Sequence, residues 1–237
     1  MCDGASTERE PNNSMPDTWR AEAPREQGET LRAVELFLDC VRNSSDLAGD
    51  LVRMRKSGSL ERILPEFTET WGPRGQQPFL HHPEGNVWVH TLMVVAALPQ
   101  DASYALRLAT IFHDIAKPPT FFQYPNTDDI TFAGHAQAGA DMLRRSIGPR
   151  LNIDPDTLEH AATVVEYHMF MHEFPKIQSE RPEFLEHILQ LPCIEDLIVI
   201  QHADVIGSGL SEQKKQEISF REPLLALLAE HRKDAHR

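Results

Sequence analysis

The sequence predicts an all-α protein, and three features of its pattern support that fold class. Apolar residues from Leu31 onward recur every three or four positions, which is the period of a helix with one buried face. Proline and glycine divide this pattern into segments of helical length. The alternation that marks half-buried strands is confined to residues 130–132, where we expect a short hairpin at most.

The predicted helices follow one another along the chain. The first two carry the apolar stripes Leu31, Val34, Leu36, Phe37 and Val41, then Leu47, Leu51 and Met54. A short third helix follows Ser59 and stops at Pro65. Residues 71–85 hold three glycines and three prolines and are predicted to form a loop. Further helices are predicted at about residues 86–98, 102–117, 134–147, 155–172, 181–191, 193–207 and 222–233.

The chain divides into a tail and one domain. Residues 1–30 contain three prolines and no Leu, Ile, Val or Phe, so we predict a disordered tail that cannot offset its ordering entropy. Residues 31–237 are enough for a single domain. The N-terminus lacks the apolar region of a signal peptide, and no segment reaches the ~18 apolar residues of a membrane span. We therefore expect a cytoplasmic protein with no membrane partner.

The composition argues against several classes of protein. The net charge is −13 at pH 7, whereas coating nucleic acid needs a basic surface, so we expect no extended nucleic-acid surface. The three cysteines lie far apart and form no CxxC pair, which argues against a disulfide framework and a zinc–thiolate site. A small pocket for one phosphate remains compatible with this charge.

Polar residues on faces that should be buried point to chemistry. His90 interrupts a helix that is apolar on all sides, and Asp204 shares its helix face with Leu197 and Ile200. A buried imidazole needs a partner, and a buried carboxylate needs a partner, a metal ion or a proton. For His90 taken alone, a structural hydrogen bond is the better interpretation.

Other candidates lie on neighbouring helices. His113, Asp114 and Lys117 share one face of the predicted helix 102–117, although a solvated face explains that helix alone equally well. His168 follows an apolar face, and His135 stands at a helix start. A bundle can gather such residues from facing helices around a metal. Mixed imidazole and carboxylate ligands suit Mn, Fe, Co, Ni or Zn best, with Mg also compatible.

In order along the chain, His90, His113-Asp114 and Asp204 resemble the H…HD…D signature of the HD-domain metal-dependent phosphohydrolases. The segment LHHPEGNVWVHT at 80–91 is similar to the HD domain of bacterial CCA-adding tRNA nucleotidyltransferases, as are HDIAKP at 113–118 and FAGH at 132–135. The resemblance covers about residues 47–210, with the core motifs at 80–207. It implies an HD-domain helical bundle with a metal site at its centre.

The resemblance also implies roles for single residues. The metal ligands would be His90, His113, Asp114 and Asp204 for a first divalent ion and His135 and His168 for a second, if two ions bind. Asp114 and Lys117 would be catalytic, and Lys117 would bind a phosphate oxygen. His82 and Glu84 would lie near the substrate, where a loop-capping role is an equally good interpretation. His172 would either replace His168 as a ligand or serve the leaving group.

Two departures from the family pattern affect the functional hypotheses. Ala136 stands where related domains often carry an acidic residue, which leaves one outer contact of the site open. No Gly-Ser followed by a D-x-D pair precedes the HD segment, so we expect no CCA addition by this chain.

Three hypotheses therefore compete. The first is an enzyme, a phosphohydrolase cleaving a small, nucleotide-like phosphomonoester or cyclic phosphodiester with metal-activated hydroxide. The alternatives are a di-iron oxygenase of the same fold and a non-catalytic metal- or nucleotide-binding module. The enzymatic hypotheses require Asp204 within about 10 Å of His113, since ligands lie ~2.0–2.2 Å from a shared ion.

Overall fold

The computed structural model describes residues 24–78 and 82–234, and they form a bundle of helices. The α-helices are α1 (Pro24–Asn43), α2 (Leu47–Lys56), α3 (Ser59–Ile63), α4 (Val87–Ala96), α5 (Tyr104–Phe112), α6 (Lys117–Thr120), α7 (His135–Met142), α8 (Gly148–Leu151), α9 (Pro155–His172), α10 (Phe174–Glu180), α11 (Pro182–Leu189), α12 (Ile194–Gly207), α13 (Glu212–Ile218) and α14 (Arg221–Asp234). Strands β1 (Phe122–Gln123) and β2 (Ile130–Thr131) form one antiparallel hairpin, with Phe122 opposite Thr131. The predicted all-α class is confirmed, and the two short strands match the expected hairpin.

The prediction of a disordered tail is wrong where it can be checked. Helix α1 begins at Pro24, so residues 24–30 are helical, while residues 1–23 lie outside the described residues. Proline is favoured in the first turn of a helix, where its missing N–H has no partner to lose. The Glu29 carboxylate also forms an ion pair with the Arg62 guanidinium of α3 at 3.1 Å, which joins this part of α1 to the domain.

The helix predicted at 102–117 is interrupted. Helix α5 ends at Phe112, and α6 begins at Lys117 after a turn in which Lys117 N donates to Asp114 O over three residues. Pro118 and Pro119 have no N–H to continue the α-helical ladder, which explains the break. The angular placement of Lys117 on one continuous helix was therefore wrong.

The sequence pattern does not predict four of the helices in the described residues, namely α6, α8, α10 and α13. In α8 and α10 a proline occupies the first or second position, Pro149 and Pro175 respectively. Both prolines fall in the gaps between predicted helices, where proline is expected to act as a break, whereas they begin helices. A 3₁₀ helix at Pro65–Trp71 ends where the predicted loop 71–85 begins, and a second at Pro73–Gly75 lies within the loop. Residues 79–81 lie outside the described part.

Helix α9 is the centre of the bundle. It packs against α5, α7 and α12, and α12 also packs against α4. These five helices have buried apolar faces that include Val94, Leu108, Ala140, Val165 and Ile200. Their packing brings together side chains that are up to about a hundred residues apart in the chain. None of the helices in the described residues has the length and apolar character needed to cross a membrane.

Gly207 at the end of α12 sets how closely that helix approaches α4. A Cβ built on Gly207 would lie 2.6 Å from the backbone nitrogen of Val94, so only glycine permits this contact. His90 lies one turn before Val94, and Asp204 lies one turn before Gly207. The close backbone approach therefore places these two polar side chains side by side.

Candidate metal centre

Five helices contribute to a group of buried imidazoles and carboxylates. His90 comes from α4, His135 from α7, His168 from α9 and Asp204 from α12. His113 and Asp114 follow directly after α5, in the turn that the prolines create. All of these side chains except that of Asp204 belong to residues that are less than a tenth exposed.

The first side of the centre contains His90, His113, Asp114 and Asp204. His90 Nε2 lies 2.9 Å from Asp204 Oδ1 and 3.6 Å from Asp114 Oδ2. His113 Nε2 lies 3.3 Å from the same Asp114 oxygen. The ligand atoms of His90, His113 and Asp114 all lie within 4.8 Å of one another, so Asp204 lies well inside the 10 Å limit from His113.

The second side of the centre uses the other oxygen of Asp114. His135 Nε2 lies 3.2 Å and His168 Nε2 lies 3.8 Å from Asp114 Oδ1, and the two imidazole nitrogens lie 3.3 Å apart. Asp114 therefore presents one oxygen to each pair of histidines. A carboxylate placed in this way would be able to hold a cation on each side.

The four histidines share one orientation. Nδ1 of each ring faces an acceptor, which is Glu84 Oε1 for His90 and a backbone oxygen for the other three, at 2.7–2.9 Å. A backbone carbonyl only accepts hydrogen bonds, so Nδ1 of His113, His135 and His168 must donate. In the neutral ring Nε2 is then left with its lone pair, and it points towards Asp114. Metal-bound histidines are commonly held in this way.

The residues fit a divalent cation. Atoms that each lie about 2.1 Å from one ion are roughly 3–4 Å apart, and the separations on both sides of Asp114 fall in or near that range. Within the described residues, His90 Nε2 and His113 Nε2 have no partner in hydrogen-bonding geometry, whereas Asp114 Oδ2 forms an ion pair with Lys117. Buried polar atoms without hydrogen bonds cost about 1–3 kcal/mol each, which a bound cation would recover.

The charges of the centre favour a cation as well. Burial by itself would raise the pKa values of Asp114 and Asp204. The positive charges of Lys117 and His113 outweigh burial for Asp114, and those of His90 and His172 outweigh it for Asp204. Both pKa values therefore lie well below the usual range. Burial, aided by His135 and His113, holds the pKa of His168 well below its usual value. At neutral pH the site therefore offers ionised carboxylates and an uncharged His168.

The pKa of His90 is raised, whereas that of His168 is lowered. Burial lowers its pKa, but Asp204, Glu84 and Asp114 outweigh burial and raise the pKa to about 9. A proton and a metal ion therefore compete for Nε2 of His90, because the same carboxylates stabilise either positive charge.

Glu84 lies behind His90 rather than at the mouth of the site. Its Oε1 accepts from Nδ1 of His90 at 2.7 Å and lies 3.0 Å from Nδ1 of His82, and its Oε2 accepts from Gly209 N at 2.9 Å. The side chain is only 2% exposed, which disagrees with the predicted substrate contact. The contacts instead make Glu84 an orienting partner of His90 that also joins the loop after α12.

Lys117 is close to Asp114, although the helix between them is broken. Its Nζ lies 2.6 Å from Asp114 Oδ2 and donates to Gln77 Oε1 at 2.6 Å. No signal in the sequence indicates Gln77, because it lies in a loop without periodicity. An ammonium group only donates, so the amide oxygen of Gln77 must face Lys117.

A cavity of about 580 Å³ opens onto the centre. Residues from both sides of the centre line it, including Asp114, Lys117, His135 and Asp204. His82 and His172 also line it, and His172 Nε2 lies 2.8 Å from Asp204 Oδ2. His172 thus contacts the Asp204 carboxylate from the cavity side, while His168 lies with His135 and Asp114.

Comparison with known proteins gives one family and several relatives. The sequence profile described as HD domain matches residues 87–209, about half of the chain. A "Multifunctional CCA protein" of Halorhodospira halophila is 34% identical over 157 residues, which is 60% of this chain and 36% of the relative. An "A-adding tRNA nucleotidyltransferase" of Deinococcus radiodurans is 30% identical over 70% of this chain and 37% of the relative. A "CC-adding tRNA nucleotidyltransferase" of Thermus thermophilus is 29% identical with the same coverage. The chain thus spans little more than a third of the length of these relatives.

Proposed function

The chain belongs to the HD domain family, and from this premise we propose that it is a metal-dependent phosphohydrolase. Its substrate is a small, nucleotide-like phosphomonoester or cyclic phosphodiester. The observation that carries the proposal is the shared orientation of four buried histidines, whose Nε2 atoms face the two oxygens of Asp114 beside an open cavity. Two of the relatives are named as tRNA nucleotidyltransferases, and this supports a nucleotide-like substrate.

Two sets of residues would hold metal ions. His90, His113, Asp114 and Asp204 would hold one, and Asp114, His135 and His168 would hold a second. When bound, a divalent transition metal of this kind supplies positive charge that lowers the pKa of a coordinated water from 15.7 towards 7. Such a local positive charge accommodates an anionic substrate in a protein whose net charge is −13.

The remaining roles belong to side chains around the cavity. Asp114 and its histidines fix the position of the reacting centre, because their rings are buried and held by backbone oxygens. Lys117 provides an ammonium beside Asp114 that can donate to a phosphate oxygen as negative charge develops. His172 faces the cavity next to Asp204, where it can give a proton to the departing oxygen.

The test is to measure metal content and turnover together. The purified chain is stripped of metal, reloaded with Mn, Co, Ni, Zn or Fe, and assayed on aryl phosphates, 2′,3′-cyclic nucleotides and mononucleotides. We expect up to two ions per chain and turnover that Asp114→Ala abolishes along with metal binding. The matched control, Asp141→Ala, removes a half-exposed carboxylate from α7 that contacts Arg145, and it should leave both unchanged.

The alternative functions give different results in the same assay. Oxygen uptake that requires iron and proceeds without phosphate release would support the oxygenase hypothesis and contradict the phosphohydrolase. Stable metal binding with no turnover of any phosphoester would identify a binding module instead.

A further inference from the structure

The ammonium group of Lys117 lies between two buried acceptors and the cavity. Lys117 is only 6% exposed, and its Nζ lies 2.6 Å from Asp114 Oδ2 and donates to Gln77 Oε1 at 2.6 Å. Lys117 also lines the cavity that opens onto the centre. An ammonium group has three N–H donors, so it can contact a third acceptor, such as an oxygen of a ligand in the cavity. The position of this charge therefore depends on Gln77 as well as on Asp114.

The backbone around Gln77 fixes where its amide group lies. Gln77 N donates to Gly85 O at 2.9 Å. The neighbouring Gln76 forms an antiparallel bridge with Asn86, which is the residue that caps α4. Gln77 itself is 7% exposed. It is therefore a fixed, buried acceptor and not a mobile surface side chain.

Lys117 decides which way the Gln77 amide is turned. An ammonium group cannot accept a hydrogen bond, so the amide oxygen faces it and the amide nitrogen faces away. Among the described residues, that nitrogen is buried without a hydrogen-bonding partner. Buried polar groups with a purely structural role are nearly always paired. The orientation of Gln77 therefore serves Lys117 and leaves the hydrogen bonds of the amide itself incomplete.

Asp114 Oδ2 faces both Lys117 and the first side of the candidate metal centre. The same oxygen lies 3.6 Å from His90 Nε2 and 3.3 Å from His113 Nε2. An ammonium and a divalent cation at one carboxylate oxygen repel each other and compete for its lone pairs. The Gln77 oxygen offers the ammonium a second acceptor. Because this acceptor is uncharged, Lys117 keeps its full positive charge, which a carboxylate at position 77 would offset.

We propose that Gln77 is a positioning residue, which draws the Lys117 ammonium away from Asp114 Oδ2 so that this oxygen can hold a cation while the charge of Lys117 remains available to the substrate. The contact with the substrate rests on the proposed function. The competition between the ammonium and a metal ion for Asp114 Oδ2 does not, because it requires metal binding alone.

Two variants of nearly the same size should change metal affinity in opposite directions. Gln77→Met removes the acceptor and leaves the ammonium to Asp114, so the Mn²⁺ affinity of the full chain should fall by about 10-fold. Gln77→Glu attracts the ammonium more strongly, so the affinity should rise by about 10-fold. Competition with a chelator measures both, and circular dichroism checks that each variant is folded. A residue that only stabilised the loop would lower the affinity in both variants or change it in neither.

A double-mutant cycle shows whether these effects pass through Lys117. In the Lys117→Met background, Gln77→Met should no longer change the Mn²⁺ affinity, because no ammonium is left to position. The matched control, Gln190→Met, replaces an exposed glutamine of the described chain and should have no effect in either background. If Gln77→Met does not fold, Gln77→Glu decides, since its gain should shrink without Lys117. Unchanged affinity in Gln77→Met, or effects of equal size with and without Lys117, would overturn the positioning role.

The aryl phosphate assay separates this inference from the proposed function. At saturating metal, Gln77→Glu should lower kcat by about 10-fold although it binds Mn²⁺ more tightly, because the new carboxylate offsets the charge of Lys117. Hydrolysis by a native chain whose metal affinity does not respond to Gln77 would leave the phosphohydrolase in place and contradict the positioning role. The expected changes in metal affinity without hydrolysis of any phosphoester would support the positioning role and contradict the phosphohydrolase.

Discussion

Two clusters of buried polar groups lie at opposite ends of α5, and their hydrogen bonds are completed in opposite ways. Near the start of the helix, Arg107 is 9% exposed and donates only to backbone oxygens. The acceptors lie 2.6–3.4 Å away and belong to Val41, Ser44, Gln100 and Ala102. Just beyond the end of the helix, His113 Nε2 is buried without a hydrogen-bonding partner among the described residues, and Asp114 Oδ2 is paired with the Lys117 ammonium rather than with a backbone donor.

This contrast separates a structural role from a ligand-binding one. Both clusters are buried and both contain charged side chains, so burial and charge alone do not distinguish them. The guanidinium of Arg107 joins the end of α1 and the loop before α5 through complete hydrogen bonds, as structural polar groups do. The incomplete bonds around Asp114 are those that an ion would complete.

Replacing Arg107 with methionine is the strongest test of the structural role of the Arg107 cluster. Arg107→Met leaves four backbone oxygens without their charged donor, so the free energy of unfolding should fall by about 2–4 kcal/mol. Metal content per folded chain should not change. Urea denaturation in metal-free buffer and metal analysis measure the two effects. Arg145→Met, at a 79% exposed side chain, is the control and should shift stability by no more than about 0.5 kcal/mol.

Gly207→Ala tests whether the close approach of α12 to α4 positions the candidate metal ligands His90 and Asp204. The added Cβ would meet the backbone of Val94, so the helices must separate at a cost of about 1–3 kcal/mol in unfolding free energy. His90 and Asp204 should move apart, and metal affinity should fall by at least about 10-fold. In Gly28→Ala, where no atom lies within 4 Å, stability should be unchanged or slightly higher. Unchanged metal affinity in the Gly207 variant would show that its close contact does not position the site.

Glu84→Gln sharpens the comparison by changing one charge behind the ligands. The amide can still accept from His90 Nδ1, but it polarises the ring less than a carboxylate does. Changes at such orienting partners lower metal affinity by about 10–100-fold, and competition with a chelator measures the loss. The exposed Glu183→Gln is the matched control. An equal affinity in the Glu84 and Glu183 variants would contradict the orienting role.

Ser103→Ala probes the helix that joins the two clusters, and it should have the smallest effect. Ser103 caps α5 by accepting from Leu106 N at 3.1 Å, and losing such a cap costs about 1 kcal/mol. The loss should appear as lower resistance to urea with the same metal affinity, because the cap lies at the Arg107 end. A parallel loss of metal affinity would mean that the two ends of α5 are not independent.

The prolines show where local patterns mislead. Pro24 falls in the predicted tail, and Pro149 and Pro175 fall in predicted gaps between helices, yet each lies in the first turn of a helix. A proline interrupts the backbone hydrogen bonds of a helix that precedes it in the chain, but it is compatible with the first turn of a helix that follows. The same residue type therefore marks both a stop and a start, and apolar periodicity on its far side is needed to tell them apart.

The candidate ligands were found because their signals are local. His90 interrupts an apolar helix, and Asp204 lies on an apolar face. Gln77, Arg107 and the true position of Glu84 had no such signal. Gln77 meets Lys117 from 40 residues away, and Glu84 meets Gly209 from 125 residues away. Periodicity describes one element at a time, so it cannot report contacts of this kind.

By itself, the sequence determined the helical class, the approximate extent of most helices and the residue types available for metal binding, because all of these follow from the period of apolar residues and the chemistry of single side chains. Only the tertiary structure decided which oxygen of Asp114 faces which histidines, that Glu84 supports His90, and that Gln77 meets Lys117. The physical reason is that these relations depend on how closely separate helices approach, as Gly207 against Val94 illustrates.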